Sequence, residues 1–372
     1  MWQKAAFALL VLSWAVVFAV LPVRAGMVES VASGSGAKSD YRAIRKELNN
    51  TGYVRLVPGQ TYDLGKSVLH VKSNWTIDAS GATIIGKNCI LLNIPAATGY
   101  RAIENFHIIG GTWIFNGENG LRKSAIKISH GSNISFSNMD IHWCNLNNHS
   151  IELVGCKDVK ISGCRIDGLG SGRSGSVEEA IQIDLAAPKT APFLDEYHAA
   201  VLGLWDGAPC ENILIRDCWV RGCRGICANF AAKDAKAGRK GYLRKFHRNI
   251  VITGNTIIGV KSEGLAMFNV LSAKVRGNRI YSLSERKSSP YSTGCHFVLM
   301  GKIPRPLRRF AVSISGNVIL GGSHAIGFNS HASTKYRKVI IKNNVLHCRK
   351  GKRRAFSLEK IKKLVTRNNV VR

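Results

Sequence analysis

"NIVITGNTI", residues 249–257, decides the fold. Ile250 and Ile252 alternate with Val251 and Thr253 at the period of a strand. Gly254-Asn255 is turn chemistry, and Thr256-Ile257 begins a second short strand. The same phrase returns along the chain: "NISFSNMDI" (133–141), "DVKISGCRI" (158–166), "NILIRDCWV" (212–220), "AKVRGNRI" (273–280), "AVSISGNVI" (311–319), "VIIKNNVL" (339–346) and "LVTRNNVV" (364–371). "NFHIIGGTW" (105–113) is an earlier, degenerate copy. Where no insertion intervenes the copies are about 23–28 residues apart, a solenoid period. One position is Asn in the later copies (Asn255, Asn278, Asn317, Asn344, Asn369) and Gly111, Met139, Cys164 or Cys218 in the earlier ones. Stacked Asn side chains can hydrogen-bond along a turn when parallel strands are in register. Cys164 and Cys218 then fall on neighbouring coils, as a disulfide or as a stack of buried thiols.

A second strand follows each copy: "AIKIS" (125–129), "SIELV" (150–154), "AIQID" (180–184), "GICAN" (225–229), "GLAMF" (264–268), "GCHFV" (294–298), "AIGFN" (325–329) and "AFSLE" (355–359). Alternation sends their second and fourth residues inward and their third and fifth outward. The outward set therefore includes Glu152, Gln182, Asp184, Asn229 and His296. Short strands, a period in the twenties and an Asn turn column predict an all-β chain. The expected form is a single-stranded right-handed parallel β-helix with a short amino-terminal capping helix, "KSDYRAIRKELNN". The L-x-x-L-x-L spacing of leucine-rich repeats is absent.

On these motifs, and on the opening coil "VRLVPGQTYDL" (54–64), the chain resembles the pectin-lyase-like β-helix superfamily over nearly all of 40–372. That resemblance implies the fold but no single reaction, because lyases, hydrolases, epimerases, esterases, tailspikes and adhesins share it. The chain also looks like a group of secreted bacterial β-helix-repeat proteins carrying H-x-I-E, E-A-I-Q-I-D and D-G-x-P-C. Here these are His149 to Glu152, Glu179 to Asp184, and Asp206 to Cys210. The group implies a polysaccharide-active protein. The next strand departs from its G-I-G-x-H pattern: Gly225-Ile226-Cys227-Ala228-Asn229 has no His. The D-D, G-H-G and R-x-K elements of polygalacturonase-type hydrolases are missing, so their mechanism does not transfer.

Residues 1–25 have the layout of a secretory signal peptide: a Lys near the start, an apolar run from Ala5 to Leu21, and Val23-Arg24-Ala25 before Gly26. The expected domains are this leader and a β-helix over 26–372, in a protein that is secreted or held at the cell surface or in the periplasm. No membrane contact is expected after leader cleavage. Ten cysteines fit an oxidising compartment, and none of their spacings reads as a zinc site. Asn49, Asn74, Asn133 and Asn148 head glycosylation sequons. The formal charge is +30, and from Gly301 to Arg372 the only acid is Glu359. Such a surface suits polyanions. Nucleic acid is not an expected partner, because regular aromatic interleaving is absent and the chain carries an export signal.

The chemistry concentrates in "SVEEAIQIDLAAP", residues 176–188. Glu152 and Asp184 on adjoining coils are roughly 8 Å apart on a flat estimate, inside the window for an inverting glycosidase. Crowded carboxyls raise one pKa, as a general acid requires. Candidate catalytic residues are Glu152, Glu179 and Asp184, with Glu178 at the edge; His149, Gln182, His198, Trp205, Asp206 and Asn229 are candidates for substrate binding. The expectation is a glycoside hydrolase with paired carboxylates and no cofactor or metal, acting on a polysaccharide that the charge makes acidic. One alternative is a polysaccharide lyase using His198, Lys245 or His247, with Arg or Ca²⁺ neutralising the uronate. The other is a non-catalytic glycan-binding or adhesion β-helix.

Overall fold

The computed structural model describes residues 30–31, 36–87, 91–115, 124–143, 149–169, 179–230, 232–285, 291–305, 307, 310–331 and 334–372. The expected leader, Glu178, most of the loop before Glu179, and Asn148 lie outside the described residues. Three all-parallel sheets of twelve, eleven and ten described strands wrap a right-handed β-helix. Each coil contributes one strand to each sheet. Arg248–Thr253 is a strand of the first sheet, Thr256–Gly259 of the second and Leu265–Phe268 of the third. The next coil repeats them in register, Ile250 beside Ala273 and Ile257 beside Ile280.

The repeat signature has a backbone cause. The residue before each turn Asn lies in the left-handed region: Gly254 at φ 70°, Gly277 at 65°, Gly316 at 64°, Asn343 at 57° and Asn368 at 50°. Gly, Asn and Asp tolerate that conformation best, so those types fill the position. The side chain that follows turns inward and stacks. Asn255, Asn278 and Asn317 each donate from Nδ2 to the Oδ1 of the next Asn at 2.9 Å. Asn344 does the same to Asn369 at 2.8 Å. Each of these Oδ1 atoms also accepts the backbone N–H of the preceding Asn, for example Asn255 N to Asn278 Oδ1 at 2.9 Å. The column then continues as thiols. Cys218 N donates to Asn255 Oδ1, and Cys164 N donates to Cys218 Sγ at 3.4 Å. Both cysteines are free, so the stack of thiols is what forms, not the disulfide.

A second, exposed ladder was not anticipated. Asn133 donates to Asn105 and Asn105 to Asn74, at 2.7 and 2.8 Å; Asn249 donates to Asn212 and Asn212 to Asp158. All six have positive φ and open the strands of the first sheet. Inside the solenoid, columns of Ile, Leu, Val and Phe fill the core, with Phe297 and Phe328 stacked at 4.9 Å. The amino-terminal helix Ala37–Thr51 covers the first coil with Ile44 and Leu48, as expected of a cap, and ends at Gly52 in the left-handed region. At the other end Leu364, in register with the core residue Val339, is 43% exposed.

Asn278→Ala leaves the Asn255 N–H and amide without their acceptor, inside a buried turn. It should cost roughly 2–4 kcal/mol in equilibrium urea unfolding, the scale of buried polar groups left unpaired. Asn369→Ala, on the half-buried last coil, should cost less than half as much. Equal losses would show that the ladder is not the source of the stability.

Candidate functional site

The outward residues of the third sheet line up as the strand register requires: Lys127 beside Glu152, Glu152 beside Gln182, and Gln182 beside Cys227. Val154 lies beside Asp184 in the parallel column. These positions are not solvated. Lys127, Glu152, Glu179, Gln182, Asp184, Arg224 and His296 are each at most 9% exposed. The 185–211 segment packs on this face through Ala186, Leu194 and Leu204 around Val154, and Phe193 lies under the Lys127 ammonium at 3.9 Å.

Three carboxylates are held by cations. Glu152 Oε2 is 3.3 Å from Lys127 Nζ and accepts from Ser124 Oγ at 2.5 Å. Glu179 lies between His149, 3.2 Å away, and Arg224, 2.6 Å away. Arg224 also reaches Glu263 at 2.9 Å, and Glu263 meets His296 at 3.4 Å. The chain His149–Glu179–Arg224–Glu263–His296 therefore alternates acid and base across the coils. Burial alone would raise the carboxyl of Glu179, but its hydrogen bond with His149 and the charge of Arg224 outweigh burial and hold it low. In Glu263 the same opposition, with Arg224 and His296 prevailing, gives a pKa of about 2. His149 is pushed down by burial and lifted further by Glu179, so it is raised overall and takes a proton readily.

Asp184 is the exception. Its carboxyl is held well above the usual range, first by burial and then by the charge of Glu152, against the opposing amides of Gln182 and Asn229. Gln182 Nε2 donates to Asp184 Oδ2 at 2.6 Å. Gln182 Oε1 and Asp184 Oδ1 are both buried with no hydrogen-bond partner among the described residues. Such a pair of unmet oxygens is unusual in a native fold.

The other candidates lie in different settings. Asp206 closes its own turn, accepting from Ala208 N and from Gly99 N. Trp205 donates to the Ala191 carbonyl within the 185–211 segment. His198 is an exposed residue at φ 55° between two short helical turns. Asn229 does reach the strip: its side-chain amide opposes the rise of the Asp184 carboxyl, its Oδ1 accepts from Phe230 N, and its carbonyl accepts from His247. His247 is buried and pushed down to about 4 by that burial. Its Nδ1 accepts from Cys210 N and its Nε2 donates to Asn229 O, which leaves no ring nitrogen for a base.

Arg224 and Glu263 escaped the sequence reading. They belong to the column at the entry of the third-sheet strands, Ser124, His149, Glu179, Arg224, Glu263, of which Glu179 and Arg224 are the first strand residues. Strict alternation would send that position inward. In the fold the column instead joins the outer strip, where Glu179 meets Arg224 and Arg224 meets Glu263. The alternation of charge down this column was the available signal.

Asp184 has a raised pKa in the folded state, so the fold binds its proton more tightly than the unfolded chain does. Its contribution to stability therefore falls as pH rises from about 4 toward the folded pKa. Asp184→Asn removes that loss. The variant should melt above the parent at pH 7, with the difference shrinking toward pH 4. A difference that grows on acidification would overturn the assignment.

No family model matches the sequence, and no curated protein matches it. Solved structures do resemble it. PfbA, a surface adhesin of Streptococcus pneumoniae, is 15% identical with a TM-score of 0.59, covering 92% of this chain and 88% of that one. Polygalacturonase from Erwinia carotovora ssp. carotovora is 14% identical, TM-score 0.55, covering 93% and 94%. A mutant tailspike protein of E. coli bacteriophage HK620, in complex with pentasaccharide, is 13% identical, TM-score 0.51, covering 89% of this chain and 62% of that one. At these identities the likeness is one of fold, and the chain has the right-handed parallel β-helix fold.

Proposed function

We propose that the chain acts on polysaccharide outside the cell, and that the third-sheet strip hydrolyses glycosidic bonds. The observation that carries this reading is Asp184, a buried carboxyl raised well above its usual range beside the Glu152–Lys127 salt bridge, with an unmet oxygen on it and another on Gln182. Displaced pKa values cluster at functional sites, and a buried acceptor without a partner calls for a ligand or another explanation. The polygalacturonase and the tailspike with pentasaccharide give the fold a precedent for sugar polymers. The leader-like amino terminus and the surface adhesin fit a location outside the cytosol.

In this reading Asp184 gives its proton to the glycosidic oxygen as the bond to the anomeric carbon breaks. Water attacks that carbon from the opposite face and gives a proton to Glu152. The flat strand geometry separates the two carboxyls by roughly 8 Å, room for that water and an inverting outcome. Glu179, fixed between His149 and Arg224, is a positioning residue. Gln182 Oε1 accepts from a sugar hydroxyl. The lyase reading loses one of its bases, because both ring nitrogens of His247 are occupied.

A panel of polysaccharides, read for reducing ends and for the ultraviolet absorbance of unsaturated uronates, tests this. Reducing ends without absorbance are expected. Asp184→Asn and Glu152→Gln should each lower turnover by roughly two to four orders of magnitude, the scale of general acid–base catalysis. Turnover that survives both substitutions sinks the carboxylate mechanism. Absorbance would indicate a lyase, and binding with neither signal a non-catalytic binder.

A further inference from the structure

The third-sheet strip is close to charge-balanced, so it does not account for the +30 formal charge. The excess lies elsewhere. On earlier coils several exterior arginines have carboxylate partners: Arg165 with Asp140 at 3.5 Å, Arg221 with Asp167 at 3.6 Å, and Arg248 with Glu211. Beyond Glu263 the only acids in the sequence are Glu285 and Glu359. On the outer face of the first sheet, Lys274, Arg276, Lys338, Lys342, Lys363 and Arg367 have no ion pair among the described residues; all but the half-buried Lys338 are exposed.

Strand register aligns these cations. Arg276 lies beside Ser315, Ser315 beside Lys342, and Lys342 beside Arg367. Lys338 lies directly beside Lys363. Like charges opposite one another on adjacent strands destabilise a sheet, and no acid among the described residues forms an ion pair with these cations. Between the rows runs a shallow cleft of about 400 Å³ lined by Lys274, Arg276, Ser313, Ser315, Lys342 and Asn343. Its donors are ammonium, guanidinium, hydroxyl and amide groups, with no aromatic ring to stack a base.

We infer that this face is a second binding surface, separate from the strip, that takes an acidic polysaccharide laid along the solenoid axis. Arg276 and Lys342 are two coils apart, roughly 10 Å at the strand spacing. Hydroxyl-bearing Ser315 lies between these two cations, while Lys342 and Arg367 adjoin directly on neighbouring coils. A polymer carrying carboxylates on hydroxylated rings matches cations repeated at the coil spacing with hydroxyl and amide groups among them. The inference does not depend on the strip being catalytic.

The test is binding of polygalacturonate to the full chain at low and at physiological salt. One variant carries Lys274→Ser, Arg276→Ser and Lys342→Ser. A control loses the same charge from the amino-terminal helix, by Lys38→Ser, Arg42→Ser and Lys46→Ser. Expected are salt-sensitive binding, a loss of about tenfold or more in the first variant, and less than twofold in the control, the contrast of a local contact with mere net charge. Binding should persist in Asp184→Asn, and the first variant should melt no lower than the parent. No binding at low salt, or equal losses in the two variants, would overturn the proposal. Duplex DNA that binds more tightly and displaces the glycan would overturn the choice of partner.

Discussion

In-register stacking of one coil on the next is the constraint from which the rest follows. It is fixed where the first strand of each coil turns into the second, by a left-handed residue and an inward Asn whose amide spans to the next coil. A slip of one residue would reverse which side chains face the core along a whole strand. A slip would also strand the Asn amides, whose donors and acceptors are met only by the neighbouring coil. The Asn column thus works as a register gauge, and the exposed Asn ladder at the start of the first-sheet strands adds a second one.

Register turns a one-dimensional sequence into columns, and the chemistry of the molecule is columnar. At the entry of the third-sheet strands the column runs His149, Glu179, Arg224, Glu263, each charge meeting the opposite charge one coil away. Burying charge is expensive unless it is paired, and here each of these carboxylates has a cation in contact. On the first sheet the same stacking rule places Lys338 against Lys363 and Lys342 against Arg367, with no acid between. One geometry therefore yields a neutralised buried chain on one face and an uncompensated positive face on another.

Asp184 lies where these tendencies meet. It has the burial of the ion chain without a cation of its own, and Glu152 is one coil away. Proton retention is the cheapest response for a carboxyl in that position. Gln182 satisfies one of its oxygens and leaves the other open, with its own carbonyl oxygen open beside it. A scaffold optimised only for stability would fill such a place with an apolar residue of similar size.

The repeat, its period, the inward Asn column, the capping helix and the outward columns of the third sheet were legible in the sequence, because each depends on local rules. Period-two alternation, left-handed turn residues and amphipathic helix spacing are properties of a few consecutive residues. The pairing of Glu152 with Gln182 could be read by aligning strands by eye, since identical coils leave one register. What the tertiary structure decided was whether outward means exposed. Residues 185–211 fold back over the strip, and a solenoid alignment carries no information about where an insertion lands. The roles of Arg224 and Glu263 were also beyond alternation, because strict alternation sends their position inward whereas the fold pairs them across coils on the outer strip. The sequence stated how much positive charge there was; only the packing of coils decided which of it is cancelled and which is left for a partner.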